Sequence, residues 1–158
     1  MMDANTIVAN QQSLVATAGA ILSEASYYVG AAGTPPAAFQ AIGTIVHDLG
    51  RGNHIEAWAQ VTEAFDSSGD AVTCQCALVM ADNAALSSNL TVLSETPAIA
   101  QAVLLPGYQF RLGSVPPGIS KVYLGYRFTT AVADATAGKV FAGFLVGRHS
   151  VRVTSTAS

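Results

Sequence analysis

From residue 54 onward the chain alternates apolar and polar positions with a period of two, the signature of half-buried strands. "HIEAWAQVTEAF" places Ile55, Ala57, Ala59 and Val61 on one face and Glu56, Trp58, Gln60 and Thr62 on the other. The turn formers "DSSGD" follow, and "AVTCQCALVM" alternates again. "ADNAALSS" interrupts it, "NLTVL" is a short strand, "SETP" is a break, and "AIAQAVLL" resumes the strand pattern. Pro106-Gly107 and "SVPPG" are turns on either side of "YQFRLG". In "KVYLGYRFTT", Val122, Leu124, Tyr126 and Phe128 oppose Lys121, Tyr123, Arg127 and Thr129. "AVADATAG" is a loop and "KVFAGFLVGR" closes the series. About seven short strands with turns every 8–12 residues predict an antiparallel sandwich or barrel. Amphipathic helical segments of the length a βαβ unit needs do not occur between them.

The first 53 residues read differently. "TIVANQQSLVATAGAILSE" fits a strand, an extended arm or a helix, because its small residues carry no clear period. "YYVGAAGTPPAAF" reads as a loop or arm, and "AIGTIVHDLG" as a strand ending at Gly50. Residues 1–43 are therefore expected to form an N-terminal extension, 44–150 the β domain and 151–158 a frayed tail.

Composition sharpens this. The chain has 158 residues, the size of one domain, and is 51 % hydrophobic but only 11 % charged. About 25 % charged residues is usual for a soluble domain, so a surface largely covered by other protein is favoured over a bland compact domain. The net charge of −3 and the high apolar content argue against disorder. Runs such as "FAGFLVG" fall short of the roughly 18 residues of a membrane helix. The first Lys or Arg is Arg51, so no secretory n-region is expected. Residues 1–110 hold nine acids and one base, whereas residues 111–158 hold six bases and one acid. The two halves can pair within one domain or between subunits. No Lys/Arg cluster marks a nucleic-acid surface.

The candidate chemistry is thin. Cys74 and Cys76 share a strand face with Val72, Leu78 and Met80, which makes them core residues. Cβ atoms two apart on a strand sit about 6.5–7 Å apart, whereas a disulfide wants about 3.8 Å. A zinc site needs about four ligands and no second Cys pair exists. His47, His54 and His149 have no metal-binding spacing, and no G-x-S-x-G elbow supports a triad. The carboxylates Glu56, Glu63, Asp66, Asp70 and Asp82 lack the spacing of a calcium loop, and turn aspartates ordinarily cap their own backbone. No catalytic residue, metal or cofactor is expected. Asn89-Leu90-Thr91 matches the glycosylation pattern but has no secretory context. Trp58, Tyr108, Tyr123 and Phe141 fall opposite the presumed core faces or at strand ends, where they either meet a partner or pack under a loop.

Four motifs, in order, carry a resemblance: a strand ending in "DLG", "VTEAFDSSGDA" (Val61–Ala71), "DNAALS" (Asp82–Ser87), and "PPG" leading to "YLGY" (Pro116–Tyr126) and then "TAGKV" (Thr136–Val140). Over roughly residues 44–147 the chain resembles the capsid cement proteins of tailed phages. That jelly-roll family is typified by the cement protein of a short-tailed Bordetella phage. The N-terminal region departs from the family: "ASYYVGAAGTPPAAFQ" lengthens its short arm, which either embraces a neighbour or adds an edge strand. The resemblance implies an all-β, antiparallel jelly-roll sandwich, here with that extended N-terminal arm. It also implies a place on the outer surface of an icosahedral head, after synthesis in the host bacterial cytoplasm. The implied partners are the phage major capsid protein and the protein itself, as a homodimer or a homotrimer, with no nucleic acid and no membrane. It implies no catalysis. The expected contact residues are Tyr27, Tyr28 and Phe39 on the arm, with Arg51 and Trp58 as anchors. A jelly-roll carbohydrate-binding module, stacking sugars on Trp58, Tyr108 and Tyr123, is the alternative.

Overall fold

Strict alternation in "IEAWAQV" and "LGYRF" builds the two long strands around which the molecule is organised. The computed structural model describes residues 7–28, 55–116 and 119–146. They form ten strands: β1 (Ile7–Ser13), β2 (Gly19–Leu22), β3 (Tyr27–Tyr28), β4 (Ile55–Ser67), β5 (Thr73–Ala81), β6 (Thr91–Glu95), β7 (Ile99–Ala100), β8 (Gln109–Ser114), β9 (Tyr123–Ala131) and β10 (Ala135–Val146). One sheet has the order β1-β10-β4-β8. The other has the order β2-β9-β5-β6, with β3 beside β9 and β7 beside β5.

Every pairing is antiparallel. The pairs β1–β10, β2–β9, β4–β8 and β5–β6 are the rungs of one long hairpin. Rolling that hairpin up creates the two further pairings, β10–β4 and β9–β5. This is a jelly-roll β-sandwich, the fold class expected.

The inner faces supply the core: Ile55, Val61, Cys74, Leu78, Leu124, Tyr126, Phe128, Val140 and Phe144 are buried. Tyr126 stacks on Phe128 at a ring separation of 6.2 Å and lies 5.3 Å from Phe144. β5 is buried on both faces from Ala77 to Ala81, because the β5–β6 loop folds back over its outer side. Leu86 of that loop packs with Ala77, Val79 and Ala81. Asn83 holds the loop's shape by accepting from the amides of Ser87 and Ser88 at 2.9 and 3.0 Å.

Of the readings open for the extension over residues 1–43, the strand is the one seen where it is described: β1 pairs with β10, β2 with β9 and β3 with β9. Gln12 shows why. It is buried, donates to the Leu22 carbonyl at 2.7 Å and accepts from the Glu24 amide at 3.1 Å, so it ties the edge of one sheet to the edge of the other. The expected strand "AIAQAVLL" continues only as far as Ala100, and a 3-10 turn follows over Gln101–Val103. The turn drops Leu104 into the core, where its carbonyl accepts from the Phe65 amide at 3.1 Å. The strand ending at Gly50, and the tail at 151–158, lie outside the described residues.

Candidate interaction surfaces

Cys74 and Cys76 are fully buried and unbridged, as a core reading requires. Burial pushes the Cys74 thiol up to about 12, and burial together with the neighbouring Cys74 pushes Cys76 up as well. Neither is a ready nucleophile or metal ligand. Among the described residues no group of three or more His, Cys, Asp or Glu is placed to hold a metal ion. Asp66 accepts from its own turn, from the Ser67 amide at 2.8 Å. The three histidines lie outside the described residues.

Three ion pairs join the acidic first part of the chain to the basic last part. Lys139 meets Glu63 at 2.5 Å, Arg127 lies 4.0 Å from Glu95, and Lys121 lies 4.0 Å from Asp82. In these pairs the charge asymmetry is resolved within one chain. All three are part-exposed, so they fix geometry more than they add stability.

What remains is surface, in three patches. The outer face of the four-stranded sheet carries Trp58 edge-on to Phe141, with ring centres 5.6 Å apart. A shallow groove of about 290 Å³ runs from Trp58 along β8 to Arg111. A second cleft, of about 430 Å³, opens at the side of the sandwich between β7 and β8, lined by Thr96, Ile99, Tyr108, Gln109 and Arg111. Tyr108 does not stand free there: it packs against the core, perpendicular to Phe110 at 5.3 Å.

The third patch is one end of the sandwich. The β1–β2, β4–β5 and β9–β10 loops and the 96–108 segment meet there, since Ser13 pairs with Lys139, Ala135 with Ser67 and Thr73 with both Ala131 and Ala100. Val15, Val103, Leu105 and Val132 are exposed on these loops. They are four of the six large hydrophobic side chains left exposed among the described residues.

The expected contact residues do not form one patch. Tyr27 turns inward against Phe144, at 5.5 Å, and packs on the core. Tyr28 is 58 % exposed beside Tyr123, at 5.2 Å, on the six-stranded sheet. Trp58 lies on the outside of the other sheet. Phe39 and Arg51 fall outside the described residues. Sequence reasoning missed Val132 and Leu105, although "TTAVADA" and "AVLLPG" place large apolar residues just where a turn should be polar.

No curated protein matches the chain. A family model, described as Bbp16, matches residues 9–144. The match begins within β1 and ends within β10, so it takes in both sheets of the jelly roll, and the chain belongs to the Bbp16 family.

Proposed function

We propose that this protein is a non-enzymatic capsid cement, or decoration, protein of a tailed phage. It binds the outer surface of the icosahedral head and bridges neighbouring copies of the major capsid protein. The observation that carries the reading is the Bbp16 match across a complete jelly roll, in a chain whose turn motifs resemble those of tailed-phage cement proteins. The family name agrees with a bacteriophage origin. The low charge of 11 % and the apolar loop end suit a domain that spends its life against other protein. Many copies, each burying about 1,600 Å² per contact, would oblige a rupturing head to break several interfaces at once. The protein acts as a homo-oligomer, most simply a dimer.

The test is co-sedimentation of the purified protein with heads that lack it, with copy number taken from the pellet. Saturation at a stoichiometry fixed by the lattice supports cementing; no pelleting at any salt concentration rejects it. A second reading, a carbohydrate-binding module, draws on the cleft in which Tyr108 sits beside Gln109 and Arg111. Binding to a glycan array by protein that ignores heads would favour it.

A further inference from the structure

We infer that the loop end carrying Val15, Val103, Leu105 and Val132 is the docking face, and that it takes an apolar patch rimmed by Lys or Arg on the capsid protein. This rests on the cement reading above.

Three observations converge on this end. The first is conformational. Val132 is 77 % exposed and holds φ at 75°, a left-handed conformation that a β-branched residue rarely adopts. An apolar side chain held in strain and aimed at solvent is a cost without return in the isolated domain.

The second is rigidity. Asp134 accepts from the Ala18 amide at 2.8 Å, which joins the β9–β10 loop to the β1–β2 loop. Gln101 accepts from Ser67 at 2.6 Å and donates to Asp70 at 2.9 Å, which joins the 96–108 segment to the β4–β5 loop. The apolar groups are thus presented on a fixed frame, and little ordering entropy is lost on docking.

The third is charge. The loop stretches 13–19, 67–73, 96–109 and 131–138 contain no Lys or Arg, and Lys139 at their border is paired with Glu63, while Asp70 and Asp134 lie within them. A second copy docked end to end would set like charges against each other, whereas a basic rim would complement them. The chain's own remaining segments depart from the far end. Ile7 pairs with Gly143, Ile55 with Val146 and Tyr28 with Tyr123, about 25–35 Å away along β10 and β9.

The test uses the full chain with Leu105→Cys or Val132→Cys, and Val92→Cys on β6 as control; native Cys74 and Cys76 are buried. A maleimide is applied to free protein and to protein on heads. The expected result is labelling of all three variants when free, and protection of positions 105 and 132, but not 92, on heads. Leu105→Asp with Val132→Asp should weaken head binding about tenfold or more at an unfolding midpoint no lower than the wild type's, since Asp tolerates the left-handed φ at 132. Asp70→Asn with Asp134→Asn should weaken it and flatten its salt dependence.

Protein that pellets with heads yet labels freely at 105 and 132 overturns the docking face and leaves the cement reading standing. Blocked labelling in the free protein also overturns it, assigning the end to a second copy if dilution restores labelling and to residues 29–54 if it does not. Wild-type protein that never pellets removes the cement reading and the docking face together.

Discussion

The hydroxyl of Tyr126, on one sheet, donates a 2.6 Å hydrogen bond to the carbonyl of Gly143, on the other. The same hydroxyl accepts from the Trp58 amide at 2.9 Å. Gly143 and Trp58 are partners across β10 and β4, and the ladders outside them slip at this point. One slip lies between Ile7, which faces Gly143, and Ala9; the other lies between Glu56 and Trp58. A bulge leaves backbone groups unpaired, and the phenol satisfies two of them inside the core.

Tyr126→Phe keeps the ring and strips both backbone groups of their partner. Leaving buried polar groups unpaired costs about 1–3 kcal/mol, so the denaturant midpoint should fall accordingly. An unchanged midpoint would mean that the ladders close up around the missing hydroxyl.

Gly125 and Leu86 should behave as one unit. A Cβ on Gly125 would lie 2.3 Å from Leu86 Cδ1 and 2.9 Å from Ser23 Oγ, so Gly125→Ala forces the Leu86 and Ser23 side chains to shift. That overpacking should cost about 1–3 kcal/mol, and Leu86→Ala about 2–5 kcal/mol. In the Leu86→Ala background the closer clash is gone and only that with Ser23 Oγ, at 2.9 Å, remains, so the pair should cost less than the sum of the singles. Additive losses in a double-mutant cycle would refute the contact.

Tyr27 and Tyr28 should separate cleanly. Tyr27→Ala removes a ring packed on the core against Phe144 and should lower stability by about 2–4 kcal/mol. Tyr28→Ala removes an exposed ring whose aromatic neighbour is Tyr123 and should cost about 1 kcal/mol or less. Equal effects on thermal unfolding would contradict the placement of β3.

Stability should decline in alkali. The folded Cys74 thiol titrates at about 12 against an ordinary value of 9.0, and Cys76 is raised in the same direction. The unfolded chain therefore loses these protons first. The thiols' contribution is fully present below 9.0 and is lost as pH climbs from there toward about 12. The buried Tyr126 phenol, also raised, adds to the decline at higher pH. Urea midpoints measured across this range should fall less steeply for Cys74→Ala with Cys76→Ala than for the wild type. A parallel decline would remove the thiols from the explanation. Folded protein at neutral pH should also leave both thiols unreacted toward a disulfide reagent.

The alternation in β4 and β9 was legible because every second side chain there is apolar and faces the core: Ile55, Ala57, Ala59 and Val61, then Leu124, Tyr126 and Phe128. The cysteines were legible for the same reason. β1 was not. Its register slips between Ile7 and Ala9 and again between Ala9 and Gln12, Gln11 takes a φ of 56°, and its buried Gln12 is polar. Each slip resets the period, and a buried amide hides a core position from any reading based on hydropathy.

Tyr27 and Tyr28 stand in a stretch that reads as loop or arm, with no period to say which ring is buried. Which of them faces in was decided by β3 pairing with β9 in the register Tyr27 to Leu124. The strands beyond residue 54, their inward faces and the all-β class follow from local alternation, because each depends only on neighbours in sequence. The apolar loop end does not. Val15, Val103, Leu105 and Val132 stand up to 117 positions apart and become one surface only when the long hairpin rolls up. That closure is set by β10 on β4 and β9 on β5, long-range pairings whose hydrogen bonds leave no trace in the residues that make them.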